Sequence, residues 1–481
     1  GDDSIGIYVT NSNGTPSYAS LSMVKLDGGA GTDTLDFANM GTQGSTELTL
    51  TGGGATNFEN IGGTAGADII RGDVGNNVLN GKNGADTIYG GSGNDSLHAD
   101  SVGNSLNSDS SNDNLYGQAG DDTLRGSAGD NILDGGTGAD TISTGNGSDT
   151  IILRVGDGGD TLAEADTITD FTDGTDILGL SGSLAYDDLT IAQGIGSNSN
   201  DTIISAGSEY LTILTGVTAS NINYLDFASM ATGNQTLSGT SGNDVLIGAA
   251  GVDTITTNTG TDIIFAHGGD DAITIDGAGN KTIDGGAGTD SLTVSVSGNN
   301  NLGSYTISTS GDYLVLTDAS SNVIQFKNAE SLTVGSYTYI EDTTNDTYWN
   351  ATEKVLYMYD ASGWGGISSL SGLSASDSFS VLGSSGVDYM NLNIDRSSAL
   401  TGDMTLAMGD GGDSLGAARF KDGDSVDMGA GDDSIGIYVT NSNGTPSYAS
   451  LSMVKLDGGA GTDTLDFANM GTQGSTELTL T

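Results

Sequence analysis

The 481 residues carry 63 acidic side chains against 12 Lys and Arg, a formal net charge of -51. So few cations exclude nucleic acid as a partner, because a phosphate backbone is held by Lys and Arg. Two prolines exclude collagen and Pro-rich chains, 6% aromatics exclude a large conventional core, and no apolar run is long enough to span a bilayer. Cysteine is absent, so disulfides play no part, although this alone fixes no compartment. The acids are mostly Asp at fixed spacing, which a disordered acidic tail would not show.

Taken in order, residues 1–62 read as a lead-in. It holds a nine-residue block whose first eight positions are Gly28–Leu35, with Asp33 at the sixth, and an alternating strand at Thr46–Thr51. Asn57–Ile61 then falls in phase with the blocks that begin at residue 63, Glu59 standing at the sixth position. From 63 to 152 ten nine-residue blocks run without insertion. Their eighth position is always Leu or Ile, from Ile70 to Ile151, and their sixth is Asp or Asn. A lone aliphatic between small polar residues, as in Asp86-Thr87-Ile88-Tyr89, is one inward side chain of a three-residue strand. The six residues before it are a turn, since repeated Gly permits positive φ and close approach of carbonyls. Asp closing each turn makes an all-oxygen environment, suited to a hard cation such as calcium. One block cannot bury its single Leu or Ile, so blocks must stack into a solenoid.

Gly90-Gly91-Ser92-Gly93-Asn94-Asp95-Ser96-Leu97-His98 and Gly135–Ser143 resemble the G-G-x-G-x-D-x-U-x nonapeptide of the repeats-in-toxin (RTX) family. The resemblance implies an all-β fold: a right-handed parallel β-roll or β-solenoid built from nonapeptides, two per turn, with interspersed strand-rich segments. It also implies several calcium ions held between successive turns by sixth-position Asp and loop carbonyls. The implied metal ligands are Asp33, Asp68, Asp86, Asp95, Asp113, Asp122, Asp140, Asp149, Asp244, Asp253, Asp262, Asp271, Asp290, Asp413, Asp433 and Asp463. Roughly one divalent ion at each would neutralise about 32 charges, well over half the excess. Asn77, Asn104 and Asn131 mark weaker loops, and the block Ala99–Asn107, lacking both key glycines, is expected to bind no ion.

Asp166–Phe171 and Gly174–Leu180 resemble the segment that often closes such a roll, so 63–180 is expected to be a first roll with its cap, Phe171 covering the end. An irregular strand segment follows at 181–236, then a second roll at 237–294. Residues 295–407 are strand-rich and hold both tryptophans, Trp349 and Trp364, among several tyrosines between 337 and 364. That cluster is read as a small core or module contact rather than a sugar-stacking patch. A third RTX stretch occupies 408–481.

Residues 1–51 recur unchanged as 431–481, a period of 430. With the chain opening midway through a nonapeptide, this reads as a piece of a tandem array, most like giant adhesin or surface-layer proteins. The expected role is structural: a secreted, calcium-stabilised extracellular filament at a bacterial cell surface, whose partners are neighbouring identical modules or copies of itself. The rival is a binding module for surface glycans or ice, with the seventh-position Thr87, Thr123, Thr141 and Thr150 as a candidate row; an accessory module of a secreted enzyme ranks lower. No catalytic role is expected: the carboxylate pairs fall in solenoid loops, and no H-E-x-x-H, G-x-S-x-G or Walker motif is present. His98 and His267 are expected to be solvated.

Overall fold

The structure, a computed structural model, describes residues 2, 4–6, 26–27, 30–36, 46–49, 55–56, 58–100, 110–298, 301–342, 347–352, 354–358, 365–366, 376–383, 388–391, 402–418, 423–437 and 455–466. The chain forms two compact units, Gly1–Ala231 and Thr232–Thr481. Both are all-β; apart from strands, the described residues hold only single 3-10 turns.

In the first unit the short strands fall alternately into two parallel sheets. One contains Asn60–Gly62, Val78–Asn80, Ser96–His98, Thr123–Arg125 and Thr141–Ser143; the other contains Asp68–Arg71, Thr87–Ser92, Asn114–Ala119, Ile132–Thr137 and Thr150–Leu153. Leu79 pairs with Leu97, Leu124 with Ile142, and Leu115 with Leu133, each 18 residues on. One turn of this β-roll therefore consumes two nonapeptides. The middle residue of each rung points inward, and Ile70, Leu79, Ile88, Leu97, Leu115 and Leu124 are all 0% exposed.

Two features depart from the simple count of blocks. Ile88 pairs directly with Leu115 and Leu97 with Leu124, a step of 27 rather than 18, so the ladder passes over one nonapeptide. Asn104 and Leu106 of that block lie outside the described residues. Further on, Asp166–Ile168 and Ile177–Leu180 each add an in-register rung instead of ending the roll. Beyond them pair Glu209–Leu214 and Phe227–Ser229, and the first of these sheets finishes in antiparallel strands Thr202–Ala206 and Leu189–Gln193.

The second unit begins the same way, with Leu237, Ile255, Ile273 and Leu292 in register on one sheet and Leu246, Ile264 and Ile283 on the other. The single extra residue after the fourth block lengthens the steps to Leu292 and to Ile283 to 19. Three antiparallel pairings then link Ser331–Val334, Tyr337–Asp342, Thr347–Asn350 and Val355–Met358. Parallel pairing resumes through Phe379–Leu382, Met404–Ala407, Ser425–Asp427 and Lys455–Asp457.

An odd number of antiparallel steps reverses strand direction within one continuous sheet. The buried face changes with it. Leu332 pairs with Tyr339, and Tyr339, Tyr348 and Tyr357 join the core of Ile255, Ile273 and Leu292. Trp349 pairs with Leu356 and Leu356 with Val381, and these lie on the opposite face, continued by the buried Leu406 and Val426. Reversed strands packed on the original face would coil left-handed; moving the core to the other face preserves the right-handed sense that parallel crossovers favour.

The register makes a direct prediction. Deleting residues 101–109 would leave Leu97 and Leu115 nine positions apart, the spacing of neighbouring rungs elsewhere. The shortened chain is expected to fold with its melting midpoint within about 4 °C of the parent. Thermal unfolding followed by circular dichroism checks this; loss of the transition would mean the omitted block belongs to the ladder.

Candidate metal centre

Each turn ends at its sixth-position residue, and these residues stack into seams running along the rolls. One carboxylate oxygen of each accepts the backbone N–H of the equivalent residue one turn earlier. In the first unit one seam links Asn77, Asp95, Asp122, Asp140 and Asp166 at 2.7, 2.7, 2.7 and 3.0 Å. The other links Asp68, Asp86, Asp113, Asn131, Asp149 and Asp176 at 2.7–3.1 Å. The second unit repeats this through Asp253, Asp271 and Asp290, and through Asp388, Asp413, Asp433 and Asp463. Apart from Asp463, the carboxylates are buried, Asp149 and Asp253 at 0% exposure, because the next turn lies over them.

What the second carboxylate oxygen does depends on the residue four positions earlier. In one kind of loop that residue has ordinary φ and its N–H donates to the oxygen: Thr64 to Asp68 (2.6 Å), Thr240 to Asp244 (2.7 Å), Ala249 to Asp253 (2.7 Å) and Thr172 to Asp176 (2.8 Å). In the other kind it has positive φ and continues the ladder, as Gln118 (φ 81) does by pairing with Gly91 and Gly136. The Oδ2 atoms of Asp95, Asp122, Asp140, Asp149, Asp271, Asp290, Asp413 and Asp433 follow such residues, and each is buried with no hydrogen-bond partner. A buried, unpartnered carboxylate oxygen is costly unless a cation meets it.

Glycine keeps the space in front of that oxygen clear. A Cβ on Gly117 would collide with Asp122 Oδ2 and with the Gly135 carbonyl of the next turn, and one on Gly90 with Asp95 Oδ2 and the Gly117 carbonyl. Among the described residues no three carboxylate or imidazole side chains converge. A metal here would therefore take most of its ligands from backbone carbonyls, a donor set that fits calcium. Asn131 shows the same place filled from within: its Nδ2 donates to the Gly126 and Gly129 carbonyls and to Asp149 Oδ1 at 3.0–3.1 Å.

The expected ligands thus separate. In Asp68, Asp244 and Asp253 the Oδ2 atom receives an N–H from the residue's own loop, Asp262 is paired with Lys281, and Asp463 is exposed at the last described turn. Asp33, Asp86 and Asp113 are buried seam members, Asp33 donating its N–H to Glu59 Oε2 at 2.7 Å. Sequence reasoning passed over Asp166, Asp176, Asp388, Asp424 and Glu330, which hold seam positions. The signal was available in Asp166-Thr167-Ile168, Asp388-Tyr389-Met390 and Asp424-Ser425-Val426, each with the same Asp-x-aliphatic spacing.

The histidines are half-buried rather than solvated, and burial lowers His98 to about 4. Tyr339, Tyr348, Trp349 and Tyr357 are buried, and Tyr348 Oη donates to the Ala329 carbonyl at 2.7 Å; Tyr359 and Trp364 lie outside the described residues. The seventh-position threonines form no single row: Thr123 and Thr141 share one sheet, while Thr87 and Thr150 lie on the other with Asn114 and Ile132 between them.

Burial, reinforced by neighbouring carboxylates, raises Asp95, Asp149 and Asp290 to about 6, and Asp122 and Asp413 to about 7. A carboxylate raised in the folded state binds protons more readily there than when unfolded, so without metal its stabilising effect is present at low pH and lost as pH rises through about 6 to 7. Acidifying calcium-free chain from about pH 8 to about pH 5 is expected to increase strand signal in circular dichroism; an unchanged or falling signal would contradict it. Asp122→Asn retains the oxygen that accepts the Asp95 N–H and should behave as Asn131 does. It is expected to lower the number of bound calcium ions by about one, counted by equilibrium dialysis, with the saturated fold unchanged.

The RTX calcium-binding nonapeptide repeat family (4 copies) matches residues 62–97, 98–133, 107–142, 116–151, 125–162, 231–264, 238–273 and 275–294. No curated protein matches the chain. Among solved structures, the extracellular lipase LipA from Serratia marcescens is similar over 51% of this chain, at 16% identity and a TM-score of 0.18; the chain covers 37% of that protein's length. The two rolls are thus built from RTX calcium-binding nonapeptide repeats, at 62–162, 231–273 and 275–294.

Proposed function

We propose that this chain is a segment of a calcium-stabilised extracellular filament, adhesin stalk or surface-layer protein, in which the strand ladder runs on across the boundary between successive 430-residue modules. The observation that carries this reading is the behaviour of the repeated segment. Ser4–Gly6 pairs with Thr34–Asp36 in the first copy, and Ser434–Ile437 pairs with Thr464–Asp466 in the second, with equivalent residues opposed. The second copy is also paired on its earlier side, to Ser414–Ala418, and the first on its later side, to Asn60–Gly62. Overlaying the shared strands gives a ladder that crosses the module boundary without a linker.

Calcium would be held by the unpartnered Oδ2 atoms of residues such as Asp95, Asp122, Asp271 and Asp413 with nearby loop carbonyls, where it would neutralise charge and tie one turn to the next. The protein's own contribution is to align the carboxylates, clear space for the ion with glycine, and bury the aliphatic rungs. With a net charge of -51 the seams repel one another when bare, so folding is favoured outside the cell, where calcium is plentiful. Among the described residues no helix is long and apolar enough to cross a membrane.

A protein of two complete modules in tandem tests this reading. In calcium, electron microscopy is expected to show no hinge at the module boundary, and chelator should abolish the strand signal. Two beads on a flexible link, or strand content indifferent to chelator, would overturn it.

A further inference from the structure

One seam of the second roll has a different chemistry. Asp262–Phe265 lies beside Lys281–Asp284, with Ile264 opposite Ile283 and Asp262 opposite Lys281. Lys281 therefore occupies the sixth position, where its neighbours carry Asp. Its side chain is 0% exposed, and a Lys is rarely so deeply buried unless paired. The ammonium stands 3.1 Å from Asp262 Oδ2, 2.7 Å from the Gly260 carbonyl and 3.5 Å from the Ala278 carbonyl. A carboxylate oxygen and carbonyls from two successive turns are the donors a metal would use between loops; here the ammonium donates hydrogen bonds to the two carbonyls and meets the carboxylate oxygen as an ion pair.

We propose that Lys281 is a built-in cation that takes the place of calcium at this joint, so that the Asp244–Asp262–Lys281 seam holds together without metal. The rest of that seam agrees. Asp244 receives the Thr240 N–H at 2.7 Å and the Thr240 hydroxyl at 2.9 Å, and its own N–H donates to Asp262 Oδ1 at 3.1 Å. Asp262 Oδ2 is the one oxygen on it without a hydrogen bond, and the Lys281 ammonium meets it as an ion pair at 3.1 Å. The ammonium occupies the gap and repels a second cation. The second roll thus has one metal-free edge, set against a facing seam where Asp271 and Asp290 keep unpartnered oxygens. This rests on the proposal that the remaining open loops bind calcium.

The test uses the full chain, with bound calcium counted by equilibrium dialysis and hydrogen exchange followed at graded calcium. Lys281→Met keeps the apolar stem and removes the charge. It is expected to raise the calcium concentration that protects residues 262–284 roughly two- to fivefold, because Asp262 loses its partner, while the concentration that protects 114–151 stays unchanged. Lys281→Asp restores a sixth-position carboxylate and is expected to bind one more calcium ion than the parent. Equal protection of 262–284 in parent and Lys281→Met, or a folded Lys281→Asp chain with the parent's ion count, would overturn the assignment. Should Lys281→Asp not fold, the Lys281→Met comparison decides. A parent chain that binds no calcium would instead remove the calcium reading itself.

Discussion

A carboxylate buried between two turns, with one oxygen committed and the other bare, is the constraint on which both rolls depend. The committed oxygen receives an N–H from the preceding turn and fixes the register: Asp95 under Asp122, Asn131 under Asp149, Asp271 under Asp290. The bare oxygen is a liability in a site shielded from water. The chain meets that liability in three ways. A closed loop turns its own N–H inward, as at Asp253; an amide or ammonium fills the gap, as at Asn131 and Lys281; or the place is left for a cation, as at Asp122. Backbone φ at one loop position selects between the first and the last.

Handedness is the second constraint. The reversal at residues 331–358 would be a fault in a simple solenoid, yet here it is matched by a change in which face of the sheet is buried. Tyr339 and Tyr357 pack edge to face at 5.5 Å on one side, and Leu356 and Val381 lead into the later core on the other. The aromatic cluster is the core of this crossover. That explains why large side chains are concentrated there in a chain otherwise built from Leu, Ile and Val.

Much of this was legible in the residues. The ninefold alternation of Asp and aliphatic set strand positions, the inward residue and the chemistry of the loops, because those are local matters of spacing. Register was less accessible. Ala99–Asn107 carries the right Leu at the right place, but the pairing of Ile88 with Leu115 passes over it, since strand partners are chosen across turns and not along the chain. Asp166 and Asp176 looked like part of a terminal cap because their blocks are not nine residues long, although the ladder accepts longer loops as readily. Lys281 was invisible for a different reason. A search for Asp at the sixth position discards the block that bears the opposite charge, and only its distances to Gly260 and Asp262 reveal that it fills the same role.

The seams are tested most directly by a crystal structure grown in calcium, with anomalous scattering recorded to locate the ions. Ordered calcium is expected beside Oδ2 of Asp95, Asp122, Asp149 and Asp271, and none beside Asp253, whose carboxylate is already satisfied by Ala249 and Gln235. Finding those Oδ2 atoms hydrogen-bonded to protein groups, with no anomalous signal near them, would contradict the cation-held roll.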